Sequence, residues 1–456
     1  MRKLFFFSCF IVSALTAFSQ NFPGYSSGNY SGVNGVFSNP ANVVSSRYKW
    51  NVNLLSVNAA VANNNASFNL SNITSVFDGE VDSLLFGDGS KPANGHVNID
   101  IHGLSFMFNI NKKSSIAVTS RMRILANVVD LDGEFIQSIN NDFSTALPFT
   151  LKSNENQRVA VNGWTDWGVT YGHILIDKGS HFLKAGLTLK YLTGATNNYA
   201  TIDKLQGTLD EDALGDVYMT NASGVVAIGV AGIDFSDDDQ EITDALNFNS
   251  SGLGGDIGFI YEYRPANTSS YSNKYKFRAG IALLDIGKMK YTADPDQSGY
   301  YNINVPPAAH WYPSDLDEMS ISEMKDYLDS SPYFTSLGSP TSYKVSLPTS
   351  LQVNADYIIN NLFAVNIGGQ INLIKKSSLY NSFYYNTVTV TPRFENKIFG
   401  AYLPLSYNAV SGFNAGLSLR VGPVFFGSGS VINALMSNSK QADFHFGIIF
   451  GGVQKK

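Results

Sequence analysis

The 456-residue chain holds one cysteine, Cys9. Disulfides, thiolate catalysis and Cys-ligated zinc are therefore excluded from everything after it. Charge is scarce: 15% of residues are Asp, Glu, Lys or Arg, against about a quarter in ordinary soluble domains. Beyond residue 20 no apolar run approaches the ~20 residues of a spanning helix. The longest candidate, Val225 to Ile233, is short and contains two glycines. The six histidines (His96, His102, His173, His181, His310, His445) are scattered, without metal-ligand spacing. No G-x-S-x-G elbow or P-loop occurs. The acidic run Asp234, Asp237, Asp238, Asp239 and Glu241 lacks the EF-hand spacing and its glycine, and reads as a solvated loop. No enzymatic activity, metal or cofactor is expected. The net charge of −6 gives no basic face, so nucleic acid is not an expected partner.

What is present is aromatic. The chain has 24 Tyr and 31 Phe, while its mean hydropathy is −0.05. Many aromatics, little charge and no long apolar run suit a surface shared between lipid and water. The N-terminus reads as an export signal over residues 1–19. Arg2 and Lys3 form a basic start, Leu4 to Ala17 an apolar stretch, and Ala17 and Ser19 a small-residue cleavage site before Gln20.

The main signal is alternation with period two along the whole chain. Phe363, Val365, Ile367, Ile371 and Leu373 alternate with Ala364, Asn366, Gly368, Gln370 and Asn372. Leu183, Ala185, Leu187, Leu189 and Tyr191 alternate with Lys184, Gly186, Thr188 and Lys190. Similar segments surround residues 119, 258, 417 and 447. A tilted spanning strand needs ~9–11 residues, and several segments reach that length. Tyr48 and Trp50, Trp164 and Trp167, and Tyr384 and Tyr385 lie near segment ends, where interfacial ring belts would sit. A sheet that crosses lipid must close on itself to satisfy its backbone. The expected fold is all-β, a transmembrane antiparallel β-barrel of about fourteen strands over 48–453. Expected strand centres include residues 205 and 402, and 423–434 reads as either a further strand or a long loop. Phase changes at Leu54–Leu55 and Gly103–Leu104 read as β-bulges.

Three features do not fit a plain wall. Residues 20–47, rich in Gly, Ser and Asn, do not alternate and read as an N-terminal plug or hatch. Pro313 to Ser330 spaces Leu316, Met319, Ile321, Met324 and Leu328 by helical steps, predicting a short helix in an extracellular loop over 313–330. Asp100, Arg121, Arg123, Lys184, Lys190, Asp256, Glu262, Arg264, Arg278, Asp356, Arg393 and Arg420 fall mainly on the polar face. A charge facing lipid at the midplane costs ~2–4 kcal/mol, which directs these groups to the lumen, where both signs are expected to pair across strands.

The run Gly35-Val36-Phe37-Ser38-Asn39-Pro40-Ala41-Asn42 resembles the Asn-Pro-Ala segment near the start of FadL-like long-chain fatty-acid transporter barrels. It also resembles related outer-membrane proteins of Bacteroidota, including the PorV type of the type IX secretion system. Leu347-Pro348-Thr349-Ser350-Leu351, Ala355-Asp356-Tyr357 and the stretch from Leu419 to Ser428 look most like a Bacteroidota barrel family of unknown function. The resemblance implies an outer-membrane barrel with an N-terminal hatch carrying Asn39, Pro40 and Ala41. It implies either binding or passage of small hydrophobic molecules, or a non-transporting scaffold for secretion, motility or envelope assembly. Membrane lipid, a hydrophobic small molecule and a protein partner in the envelope are the corresponding expected partners. The inward charges and the loop helix depart from the transporter pattern.

Overall fold

The computed structural model describes residues 21–65, 67, 91–133, 147–153, 156–233, 250–265, 275–316, 319–436 and 439–453. The export signal expected over 1–19 and the acidic run from Asp234 to Glu241 lie outside them. Fourteen antiparallel wall strands form one closed sheet. They are β1 (Tyr48–Asn63), β2 (Ala93–His102 with Ser105–Asn109), β3 (Ser114–Leu131), β4 (Asn156–Lys178), β5 (His181–Glu211), β6 (Ser250–Tyr263) and β7 (Phe277–Thr292). They continue as β8 (Ser342–Ser346 with Ser350–Ile358), β9 (Phe363–Asn372), β10 (Thr387–Glu395), β11 (Phe399–Tyr402 with Leu405–Asn408), β12 (Gly412–Ala415 with Leu417–Val421), β13 (Val424–Ser428) and β14 (Gln441–Val453). β1 pairs with β14 from Tyr48↔Val453 to Ala62↔Gln441, which closes the ring.

The alternation fixes which side chains meet lipid. On β5, Leu187, Leu189 and Tyr191 are exposed, while Lys184, Thr188 and Lys190 are buried. Apolar side chains pointing out of an unaccompanied sheet need a non-aqueous neighbour, and a closed barrel leaves no unpaired edge facing it. The fold is that of a transmembrane barrel. No helix among the described residues is long and apolar enough to cross a membrane.

The count of fourteen stands, but its membership differs from the sequence reading. Residue 205 does not start a new strand. It continues β5, which runs for 31 residues and extends well past the ~9–11 that cross a bilayer. Conversely, 423–434 supplies the missing wall strand, β13, followed by a short helix, α2 (Val431–Met436). The phase change near Leu54 coincides with a register shift between Asn53 and Leu55. That near Gly103 falls where β2 is interrupted.

One end of the barrel has tight turns at 110–113, 179–180, 359–362, 396–398 and 422–423. At the other end the chain builds a cap. The far half of β5 pairs with strands Phe149–Lys152 and Val217–Gly229, and Gly299–Val305 and Phe334–Gly338 extend that sheet. Its core gathers Leu205, Leu209, Met219, Trp311 and Phe334 against Met324 and Leu328. The last two lie on α1 (Ile321–Ser330). This helix begins later than the expected Pro313, because Pro313–Leu316 makes only a 3-10 turn. Ser320 then caps α1. Its hydroxyl accepts from the Glu323 N–H, and the Glu323 carboxylate accepts from the Ser320 N–H, a reciprocal capping box.

The belt assignment of aromatics needs correction. Trp50 and Trp167 are about half exposed and face outward, at 49% and 53%. Trp164 is 1% exposed and points into the lumen, as a register shift between Gly163 and Trp164 requires. Tyr48 is buried against the N-terminal segment, and Tyr384 and Tyr385 are buried in a loop that folds into the barrel.

Candidate functional site

The lumen is the candidate site, and its filling comes from three sources. The first is the N-terminal segment. Residues 25–27, 32–37 and 40–43 form 3-10 turns within the ring of strands. Asparagines of β1 hold it: Asn51 Oδ1 accepts from the Val33 N–H (2.8 Å) and Asn58 Oδ1 from the Phe22 N–H (2.8 Å). Tyr25 stacks on Phe425 of β13 at 3.6 Å. In the Asn39-Pro40-Ala41 motif, the Asn39 side-chain Oδ1 accepts from the Ala41 N–H (2.9 Å) and so starts the last turn. Its amide donates to the carbonyls of Phe259 (3.3 Å) and Ile281 (3.2 Å), which lie on adjacent strands β6 and β7. Pro40 lies against Gly186 of β5, where an added Cβ would fall 2.3 Å from the Pro40 carbonyl carbon. Glycine is required there by close approach, not by dihedral freedom.

The second source is buried charge. The Arg121 guanidinium makes two bonds to Asp100 (2.7 and 2.6 Å). Arg123 bonds both oxygens of Asp285 (2.7 and 2.9 Å) and one of Asp166 (2.7 Å), and lies over the Trp164 ring at 4.5 Å. Lys190 bridges Asp256 and Asp285, 2.7 Å from each. Arg393 clamps Asp356 (2.5 and 2.7 Å), which also accepts from the Tyr275 hydroxyl. Arg278 approaches Asp356 (3.6 Å) and donates to Asn29 (3.2 Å). Glu262 pairs with Arg264, and Lys184 donates to the Val44 carbonyl (2.9 Å). Arg420 reaches the carbonyl of Asn396 (2.5 Å) and lies over the Tyr30 ring.

All twelve charged residues assigned to the lumen from the sequence face it, but they do not converge on one centre. They divide among separate groups that stitch neighbouring strands or fix the N-terminal segment. The alternation missed Asp285 and Asp166. Asp285 sits on the outward phase of β7, and the chain turns it inward through a register shift between Leu283 and Ile286 with a positive φ of 58°. A carboxylate on the lipid phase of a strand was itself the available signal for that bulge.

The third source is the loop between β9 and β10, residues 373–386, which bends into the far half of the lumen. Asn127 accepts from the Phe383 N–H (2.8 Å) and donates to the Phe383 carbonyl (3.1 Å). Asn197 donates to the Tyr380 carbonyl (3.0 Å), and Arg158 donates to the carbonyls of Asn381 (3.0 Å) and Ser378. Between these fillings lie polar cavities of about 40, 90 and 100 Å³.

Among the described residues, the wall is broken beside β13. β13 stops at Ser428, and α2 stands where the strand would continue. The Asn433 side chain accepts from the Ala415 N–H (2.9 Å) and donates to the Phe413 carbonyl (2.9 Å), so it occupies the two backbone groups that a neighbouring strand would pair. Across the gap, Asp443 of β14 accepts from the Gly429 N–H and from the hydroxyls of Ser428 (2.8 Å) and Ser430. Leu435 and Met436 face outward.

These features define a transmembrane β-barrel whose interior is occupied by its own chain. It belongs to the family of unknown function DUF5723, whose model matches residues 40–429. No curated protein matches the sequence. Among solved structures, a FadL homologue of Pseudomonas aeruginosa aligns over 95% of this chain and 99% of its own, at 10% identity and a TM-score of 0.44. The translocator domain of autotransporter NalP from Neisseria meningitidis aligns over 94% and 98%, at 7% identity and 0.34. A deltaS2 mutant of the TodX monoaromatic hydrocarbon channel aligns over 97% and 98%, at 8% identity and 0.30.

Proposed function

We propose that the protein is an outer-membrane barrel of a Gram-negative cell, closed along its axis, that serves as a partner or scaffold subunit rather than as a solute pore. The filled lumen carries this reading. Among the described residues, the N-terminal segment, the ion pairs and the 373–386 loop break the lumen into polar cavities of about 40, 90 and 100 Å³. A charge network of this kind fixes the shape of a wall, whereas a route for oily molecules needs a continuous apolar lining. By the usual disposition of such barrels, the tight-turn end faces the periplasm and the cap faces outward. Planar-bilayer recordings of the purified protein test the proposal. Silence across a wide voltage range is expected, with one envelope protein recovered in fixed stoichiometry from cross-linked cells. Steady ohmic conductance, with no such partner, would end it.

A second reading, passage or binding of small hydrophobic molecules, is favoured by the helix-filled gap beside β13. A molecule leaving the outer leaflet would meet α2 there and not an unbroken hydrogen-bonded sheet. Uptake of a non-polar fluorescent dye by cells carrying Asn433→Ala, compared with wild type, separates the two readings. Faster uptake favours passage, and equal uptake favours the scaffold.

A further inference from the structure

The tight-turn end carries a second concavity, separate from the three polar cavities of the lumen. Its volume is about 770 Å³, within the range of ligand and anchor-residue pockets, ~300–1,000 Å³. Ile110 and Val453 give it accessible apolar lining above the buried Val44, Ile174 and Phe182. Lys49 and Lys112 bring cations to it, Asp177 brings one acid, and the Arg264 guanidinium is paired with Glu262. The Arg264 guanidinium also lies over the Phe182 ring at 3.3 Å.

The charge extends past the cavity. Lys113, Lys178 and Lys397 are exposed at the same end. Among the described residues there, Asp177 is the single exposed acid; Glu262, Asp356 and Glu395 are buried. The lining comes from the N-terminal segment and the strand ends, and it opens within the ring of strands. Lipid is on the other side of the wall, against outward residues such as Phe108 and Leu175.

We propose that this concavity docks an acidic polypeptide segment from the periplasm, with one apolar side chain seated against Ile110 and Val453. An apolar anchor surrounded by complementary charge is the usual anatomy of a compact protein-binding site. The breadth of the basic surface favours a polypeptide over a small anion, which would need only the cations at the cavity. The inference rests on the scaffold reading and names the partner class on its periplasmic side.

The test uses the mature full-length barrel in phosphatidylcholine nanodiscs. The probe is a fluorescein-labelled peptide with a central Phe flanked by Glu residues, read by anisotropy. Saturable binding is expected, weakening as salt shortens the ~10 Å screening length of 0.1 M buffer. Lys49→Glu with Lys112→Glu is expected to weaken it at least tenfold. Replacing the peptide's Phe by Ser is expected to weaken it severalfold. The double variant must keep the heat-modifiable gel mobility of a folded barrel. Lys178→Glu, on the outer rim, serves as a milder charge reversal should the double variant fail to fold. Equal affinity for wild type and the charge-reversed barrel would overturn the proposal. So would undiminished binding of a peptide with its Glu residues replaced by Gln, which would leave the cations without a role. Either result leaves the conductance test of the scaffold reading intact, so the two can fail separately.

Discussion

Replacing Arg123 by methionine tests whether the buried charges hold the wall together. In the folded barrel, Arg123 and Lys190 share three carboxylates: Asp166, Asp256 and Asp285. The Arg123 side chain is 0% exposed, with Asp166 at 1% and Asp285 at 5%. Methionine keeps much of the volume beside Trp164 but leaves three carboxylates around one ammonium. Removing one partner from a buried ion pair costs ~3–5 kcal/mol, because the remaining charge stays out of water unpaired. Asp285→Asn is expected to behave differently. It leaves two cations against two carboxylates, and Asn tolerates the left-handed backbone at this position. Its cost is that of weakened charge-assisted hydrogen bonds, ~1–3 kcal/mol. The double variant should recover part of the Arg123→Met loss, with a coupling of ~0.5–3 kcal/mol between such neighbours. Urea titration of the refolded barrel in liposomes, followed by tryptophan fluorescence, gives the order. Arg123→Met unfolding at the wild-type urea concentration would refute the argument. So would an Asp285→Asn barrel weaker than the Arg123→Met one.

Three further outcomes follow from the geometry. Asn39→Ala removes the acceptor that starts the turn at Pro40 and two donations to β6 and β7; a loss of ~1–2 kcal/mol is expected, read as faster hydrogen exchange at the Ala41 amide. Gly186→Val puts a side chain where the Pro40 backbone lies, so the N-terminal segment should be displaced and cleaved by added protease, while wild type stays intact. Ser320→Ala removes the capping box of α1 and should cost about 1 kcal/mol within the cap alone, seen as local exchange in 321–328 with an unchanged barrel unfolding midpoint.

The parts of the fold readable in the sequence were those governed by lipid on one side and packing on the other. Lys184 and Lys190 sit between Leu187, Leu189 and Tyr191, and a two-residue period states which face is which. The reading failed where that constraint is absent. Beyond the bilayer, β5 continues into the cap sheet, so residue 205 looked like a new strand although no turn precedes it. β13 has only five residues, too few for the period to register. Trp164, Tyr384 and Tyr385 looked interfacial by position, but a bulge and an inward-folding loop direct them inside. In the lumen, residue type was legible and pairing was not. Arg123 meets Asp285 across 162 positions, a distance set by closure of the ring and not by any local spacing.

The anchoring of residues 21–47 to β1 bears on how such a barrel is built. Asn51 and Asn58, which grip Val33 and Phe22, belong to the strand that immediately follows the segment, so these contacts form within a short stretch of chain. The β1–β14 seam joins the two ends of the sequence and can be completed only after every other strand exists. The first stave thus arrives with its own filling attached, and the last one seals it in. An assembly route in which the cylinder finishes empty and is stoppered afterwards would have to thread that segment through a mouth already narrowed by its turns.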